Sequence, residues 1–173
     1  MIPDTFSKIN FLVHLYLDDN ELEGGIPKSF GGMCNLKTLS LIWANLNGKF
    51  LGIIHNLIRC AQHSIEILYL GGNQITGKLP DLSTFPSLRV LSLFNNHLNG
   101  TIPESLGKQS NLETLSLDNN SFEGVISKTH FSKLKKLKNL DLIYSPLIFN
   151  FSSNWVPPFQ LESISLRSCQ LGP

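Results

Sequence analysis

The stretch L-R-V-L-S-L-F-N-N-H-L-N-G-T-I-P, Leu88 to Pro103, decides the fold. Leucines stand at offsets 0, 3, 5 and 10 from Leu88, with Asn96 at 8, Gly100 at 12, Ile102 at 14 and Pro103 at 15. The alternation over Val90 to Phe94 predicts one short strand, its leucines inward and its other residues outward. At the Asn the chain turns and returns along the other side of a coil. A single coil of this size cannot bury its own leucines, so the pattern has to recur for the chain to fold.

It does recur. The first leucine position is filled by Leu12, Leu36, Ile65, Leu88, Leu112, Leu137 and Leu161, at intervals of 24, 29, 23, 24, 25 and 24 residues. This is the leucine-rich-repeat period. It predicts an α/β repeat fold, a curved right-handed leucine-rich-repeat solenoid. A parallel β-sheet is expected on the concave face, with short 3-10, helical or irregular segments on the convex side. Residues 1–173 read as about seven repeats, the first and last incomplete, with an irregular insertion at 49–64. Ile2-Pro3 fits offsets 14 and 15, so the chain is expected to begin and end inside a repeat, as an internal piece of a longer solenoid. No N-terminal cap, signal peptide or kinase domain is read in it, and no apolar run approaches the roughly 18 residues a membrane span needs.

The departures from the repeat are informative. Asn20, Asn73, Asn96 and Asn120 fill the ladder position, but Ala44 and Ser145 replace it. Ala44 removes an amide that would bond to backbone groups, leaving about 1–3 kcal/mol at stake unless water or Asn45 fills in. In the insertion, Phe50, Ile53, Ile54, Leu57 and Ile58 fall at helical spacing and predict a short convex helix. Ser127 stands in the Pro slot. The segment NFSSNWVPPFQ, Asn150 to Gln160, is aromatic and proline-rich, and Pro157-Pro158 favours an extended return. Cys169 takes a ladder position and reads as a structural rung. Cys34 and Cys60 flank the insertion. They are either a disulfide closing a loop of about 26 residues, worth about 3 kcal/mol, or two inert thiols.

Outward strand positions build the surface. Tyr16, Trp43, Tyr69 and Phe94 are expected on adjacent strands of the concave face, as anchors for a protein, peptide or glycan ligand, or packed on one another as a cover. Three sequons, at Asn99, Asn119 and Asn150, fall on turns or returns and lean toward a glycosylated, extracellular chain. The net charge of +1 gives no electrostatic reason to expect nucleic acid or an anionic membrane. The densest basic run, Lys133, Lys135, Lys136 and Lys138, reads as a solvated face between strands.

Nothing in the sequence points to catalysis. Five histidines (His14, His55, His63, His97 and His130) have no nucleophile and acid at motif spacing. Cys60-Ala61-Gln62-His63 is half a zinc motif with no second half. There is no phosphate-binding, dinucleotide-binding or nucleophile-elbow motif. No enzyme activity, cofactor or metal is expected.

Several segments narrow the class. MCNLKTLSL, EILYLGGNQITGKLPDLSTFPSLRVLSLFNNHLNGTIPES, FEGVISKTHFSKLKKLKNLDL and FNFSSNWVPPFQLESISLRSCQLGP cover nearly the whole chain. Together they resemble the ectodomain of plant leucine-rich-repeat receptor-like proteins, the kinase-lacking surface receptors of the disease-resistance and elicitor-receptor type. The resemblance implies an extracellular location at the plasma membrane, attached through segments of a parent protein that lie outside this chain. It also implies ligand recognition in defence or development, and signalling through receptor-kinase co-receptors. Two alternatives remain at this point: a secreted leucine-rich-repeat inhibitor of a cell-wall-degrading enzyme, and a non-functional truncated receptor copy.

Overall fold

The computed structural model describes residues 1–172 and winds the chain into seven stacked coils. Pro173 lies outside the described residues. We number the coils from their first leucine positions, coil 1 at Leu12 to coil 7 at Leu161. Each contributes one three-residue strand: His14–Tyr16, Thr38–Ser40, Ile67–Tyr69, Val90–Ser92, Thr114–Ser116, Asn139–Asp141 and Ser163–Ser165. They pair in chain order, all parallel, into one seven-stranded sheet. The register sets like beside like: Leu15, Leu39, Leu68, Leu91, Leu115, Leu140 and Ile164 form one row.

The strands are shorter than the alternation predicts, and the backbone gives the reason. In every coil the residue just before the ladder position has a left-handed backbone: Asp19, Trp43, Gly72, Asn95, Asn119, Tyr144 and Ser168, with φ between 49° and 69°. A left-handed residue cannot continue a strand. The turn therefore begins before the side chains at Trp43 and Phe94 could belong to the sheet.

A second set of parallel strands, which the sequence reading took for irregular returns, flanks the first. Asn47–Lys49, Gln74–Gly77, His97–Gly100 and Ser121–Phe122 form a four-stranded sheet. Gly124–Ser127, Leu147–Asn150 and Gln170–Leu171 form a three-stranded one. The convex side carries 3-10 turns at Asp4–Lys8, Lys28–Gly32, Glu104–Lys108 and Lys128–Phe131. The core between these layers is a continuous column of leucine, isoleucine and phenylalanine running from Ile2 to Phe149.

The ladder asparagines stitch this column together. Asn73 Oδ1 accepts from the Leu46 amide at 2.9 Å, and its Nδ2 donates to the carbonyls of Leu41, Leu70 and Gly71 at 2.7–3.1 Å. Asn96 repeats the pattern with Ile75, Leu70, Leu93 and Phe94. Asn120 repeats it with Leu98, Leu93, Leu117 and Asp118. Asn20, in coil 1, is exposed and donates only within its own coil, to Leu17 and Asp18.

The cost expected at Ala44 is avoided, and not by Asn45. The Leu22 amide, which a ladder Asn in coil 2 would have served, donates to the carbonyl of Ala44 itself at 2.9 Å. The Leu41 carbonyl is served from the other side by Asn73. The Asn45 side chain instead accepts from Gln74. At Ser145 the replacement is incomplete. Its hydroxyl is buried and, among the described residues, has no hydrogen-bond partner. Cys169 takes up a rung with weak thiol contacts to the carbonyls of Leu142 and Ser145 at 3.5 and 3.6 Å.

The insertion forms a helix at Phe50–Leu57 that buries Phe50, Ile53, Ile54 and Leu57. The predicted apolar stripe is one residue too long. Ile58 adopts an extended backbone that ends the helix, and it is 40% exposed. A second short helix follows at Ala61–Ser64. Between them Cys60 is bridged to Cys34, with Cα atoms 4.8 Å apart. The helix lies so close to the 3-10 turn at Lys28–Gly32 that a Cβ on Gly31 would stand 2.7 Å from the Ile58 carbonyl.

Ser127, the residue in the Pro slot, also has a structural reason. Its backbone amide donates to His130 Nδ1 at 3.1 Å, a bond that proline could not make. The opposite nitrogen of this buried ring, Nε2, then carries the proton and donates to the Ile102 carbonyl at 3.0 Å. The pair pins the convex turn of coil 5 to coil 4.

Candidate functional site

The concave sheet presents its outward side chains in straight rows, because the strands are parallel and in register. The central row is Tyr16, Ser40, Tyr69, Ser92, Ser116, Asp141 and Ser165. The row beside it is His14, Thr38, Ile67, Val90, Thr114, Asn139 and Ser163. Polar groups are tied across strands. His14 Nδ1 meets Thr38 Oγ1 at 3.0 Å, and Asp18 Oδ1 accepts from Ser40 Oγ at 2.5 Å and from the Ile42 amide at 2.7 Å.

The four aromatic candidates divide into two pairs. Tyr16 and Tyr69 lie on strands, but not adjacent ones: the strand of Ser40 runs between them, so their backbones are about 10 Å apart. Tyr16 is exposed and stacks with His14 at 6.5 Å; Tyr69 is half-buried. Trp43 and Phe94 lie beyond the strands, in the turns, and contact each other edge-on with centroids 6.0 Å apart. Gly71 and Gly72 make this contact possible. A Cβ on Gly71 would stand 2.1 Å from the Phe94 ring, and one on Gly72 would stand 2.3 Å from the Trp43 ring. These two rings thus bridge coils 2 to 4 across a bare backbone, while Tyr16 faces solvent and Tyr69 is partly open to it.

A feature that the sequence reading passed over is the charge along one margin of the sheet. The residue after each first leucine position reads Lys37, Glu66, Arg89, Glu113, Lys138 and Glu162 in coils 2 to 7, alternating in sign. Lys37 pairs with Glu66 at 2.9 Å, Arg89 with Glu66 at 3.5 Å and with Glu113 at 2.9 Å, and Lys138 with Glu162 at 3.6 Å. The Lys37 ammonium holds Glu66 below the usual carboxylate range, and the Arg89 guanidinium does the same for Glu113. These pairs are solvated and individually weak. What they do is neutralise that margin. The remaining concave carboxylates behave differently. Asp118 accepts from Ser116 Oγ at 2.6 Å, and burial raises the pKa of the neighbouring Asp141, with a further push from Asp118.

The sequon asparagines are all exposed. Asn99 lies in the strand His97–Gly100, Asn119 at a left-handed turn on the concave rim, and Asn150 at the end of Leu147–Asn150. Among the described residues, no three His, Cys, Asp or Glu side chains come together as a metal site, and no helix is long and apolar enough to cross a membrane.

With this geometry in hand, the chain can be set beside known proteins. The family description "Leucine Rich repeats (2 copies)" matches residues 63–107, and "Leucine Rich Repeat" matches 11–33 and 111–134, together more than half of the chain. The chain is similar to Receptor-like protein EIX2 of Solanum lycopersicum, at 33% identity over 99% of this chain and 24% of that protein. Among solved structures it is similar to a TDR receptor, with TM-score 0.80, 28% identity, and coverage of 98% of this chain and 29% of that one. It is also similar to the plant peptide hormone receptor RGFR1 in complex with RGF2, with TM-score 0.74, 32% identity, and coverage of 85% and 23%. The chain therefore spans about a quarter of the length of these relatives.

Proposed function

Because the chain belongs to the leucine-rich-repeat proteins, among the plant receptor-like proteins, we propose that its concave face is part of an extracellular recognition surface for a protein or peptide ligand. The observation that carries this reading is the central row. Two tyrosines stand on rigid strands with Ser40 between them and Ser92, Ser116, Asp141 and Ser165 beyond, so a ligand laid across the sheet meets aromatic anchors separated by a shallow polar notch. The neutralised margin leaves this row, rather than bulk charge, to set selectivity. The RGFR1 structure, which holds RGF2, supports a peptide as the ligand class. The parent protein then acts at the plasma membrane, in defence or developmental signalling, through partner receptor kinases.

The test is Tyr16→Ala and Tyr69→Ala in the full-length protein, read as ligand-triggered response against surface abundance. A buried aromatic anchor contributes about 2 kcal/mol or more, so the response should need about 30-fold more ligand at unchanged abundance. An unchanged dose–response for the double variant removes the central row from consideration.

A further inference from the structure

The lysines of coil 5 and the start of coil 6 line a groove that the central row does not use. From Ser127 to Lys138 the chain carries Lys128, Lys133, Lys135, Lys136 and Lys138 and no acidic residue. The rest of the chain carries four more acidic than basic side chains. Charge is therefore segregated within a nearly neutral molecule. Among the described residues no carboxylate pairs with Lys128, Lys133 or Lys135. Lys136 donates to Asn111 Oδ1 at 2.8 Å, and Lys138 has only the loose contact with Glu162.

The groove lies where the convex segments of coils 5 and 6 meet through aromatic rings, Phe131 against Trp155 and Phe159, and not through helical turns. At three other places helical turns pack on each other, Asp4–Lys8 on Lys28–Gly32, that turn on Phe50–Leu57, and Glu104–Lys108 on Lys128–Phe131, while coil 3 carries no helical turn on its convex side. Coil 6 runs through Pro157-Pro158 with no turn of helix. Three shallow cavities of about 260, 310 and 470 Å³ result. The first two share Lys128 and Thr129, and the last two share Pro158, so they are neighbours in one shallow channel-like run. Along it lie four ammonium groups (Lys128, Lys135, Lys136, Lys138) against one carboxylate (Glu162), with hydroxyls (Thr129, Ser132, Ser152) and Trp155. Trp155 is held rigid by stacking on Phe151, with centroids 4.3 Å apart.

We propose that this channel binds a linear acidic polysaccharide, a chain of uronate units. The carboxylates would meet the lysines, the sugar hydroxyls would meet the side-chain hydroxyls and amides, and a ring would rest against Trp155 and the prolines. A peptide is the poorer fit. Of the strands beside the channel, Leu147–Asn150 is paired on both sides, and Gly124–Ser127, at the end of its sheet, has its last amide taken by His130 Nδ1, which leaves little backbone for strand addition. Binding of this kind is salt-sensitive, because it rests on solvated charge.

The experiment is titration of the purified chain with a polygalacturonate oligomer at rising ionic strength. Neutral dextran and poly-L-glutamate serve as controls, and material with and without N-glycans is compared, since Asn150 lines one end of the channel. The expected result is salt-sensitive binding to polygalacturonate alone. It should weaken at least tenfold in the Lys128→Glu/Lys135→Glu variant, persist in Lys128→Arg/Lys135→Arg, and be untouched by Tyr69→Ala. No binding, equal binding to poly-L-glutamate, binding confined to glycan-free material, or binding insensitive to lysine reversal each overturns the proposal. The Tyr69→Ala arm separates this outcome from failure of the concave-face reading.

Discussion

Asn73, Asn96 and Asn120 each make four hydrogen bonds that tie two coils together, whereas the Ser145 hydroxyl, at the same place in coil 6, makes none among the described residues. The first five coils also have a disulfide from coil 1 to coil 2 and helical turns that pack on the convex side, and the inward leucines of coils 2 to 5 are sealed from water. Coil 6 instead carries an aromatic cluster, Phe149, Phe151, Trp155 and Phe159 gathered on Phe131 of coil 5, beside an apolar cavity of about 240 Å³ that coil 7 helps to line. Along the inward row burial holds from Leu39 through Leu140 of coil 6 and is lost only in coil 7, where Ile164 is 54% exposed. One repeat template thus yields two kinds of packing. Polar bonds fix the geometry of the first region to within a register, while the second is held by apolar surface, which is less directional.

The largest effect that separates the two is a core truncation. Leu68→Ala in coil 3 should cost about 2–5 kcal/mol in denaturant unfolding, and Ile164→Ala in coil 7 less than about 1 kcal/mol. Equal costs would erase the contrast. Next is the sulfur chemistry. Cys34→Ser opens a 26-residue separation and should cost about 3 kcal/mol, while Cys169→Ser, which loses only weak thiol contacts, should be nearly silent. A thermal melt with and without reductant checks this. At the ladder, Asn73→Ala leaves buried backbone groups unpaired and should cost about 1–3 kcal/mol, whereas Ser145→Ala removes an orphaned hydroxyl and should be neutral or stabilising. Destabilisation by Ser145→Ala would place a bridging group at that hydroxyl.

The smallest effect is electrostatic. Burial raises the Asp141 pKa above its unfolded value of 3.8, so the folded state holds that proton more tightly. Its contribution is favourable below that value and is lost as pH rises through the raised one. Asp141→Asn should therefore raise stability at neutral pH by less than about 1 kcal/mol, and the gain should vanish in acid. A gain that persists below the unfolded value would assign the effect to packing instead.

The regular coils were legible because their leucine spacing is a covalent property of the chain, and burial enforces it. The convex helix was legible for the same reason, to within Ile58. What the period could not convey was compensation between coils. That the Ala44 carbonyl would take the place of a missing amide, and that Ser127 would exchange a ring for a hydrogen bond to His130, are properties of two coils at once. The aromatic candidates were misplaced for a local reason. The left-handed residue at Trp43 and Asn95 takes Trp43 and Phe94 out of the sheet, and pattern alone does not reveal the sign of φ. The lysine run is the solvated face that the sequence predicts, with Lys133, Lys135, Lys136 and Lys138 all exposed. Net charge near zero concealed its segregation.

The two tryptophans fall one in each region. Trp43 rests over Gly72 beside Phe94, with Asp19 at the same turn position on the adjoining coil. Trp155 lies on Phe151, beside the lysine channel. The chain is therefore its own pair of optical probes. Iodide should quench Trp155 emission preferentially and caesium that of Trp43, so a single fluorescence titration can report which half of the molecule a ligand has touched.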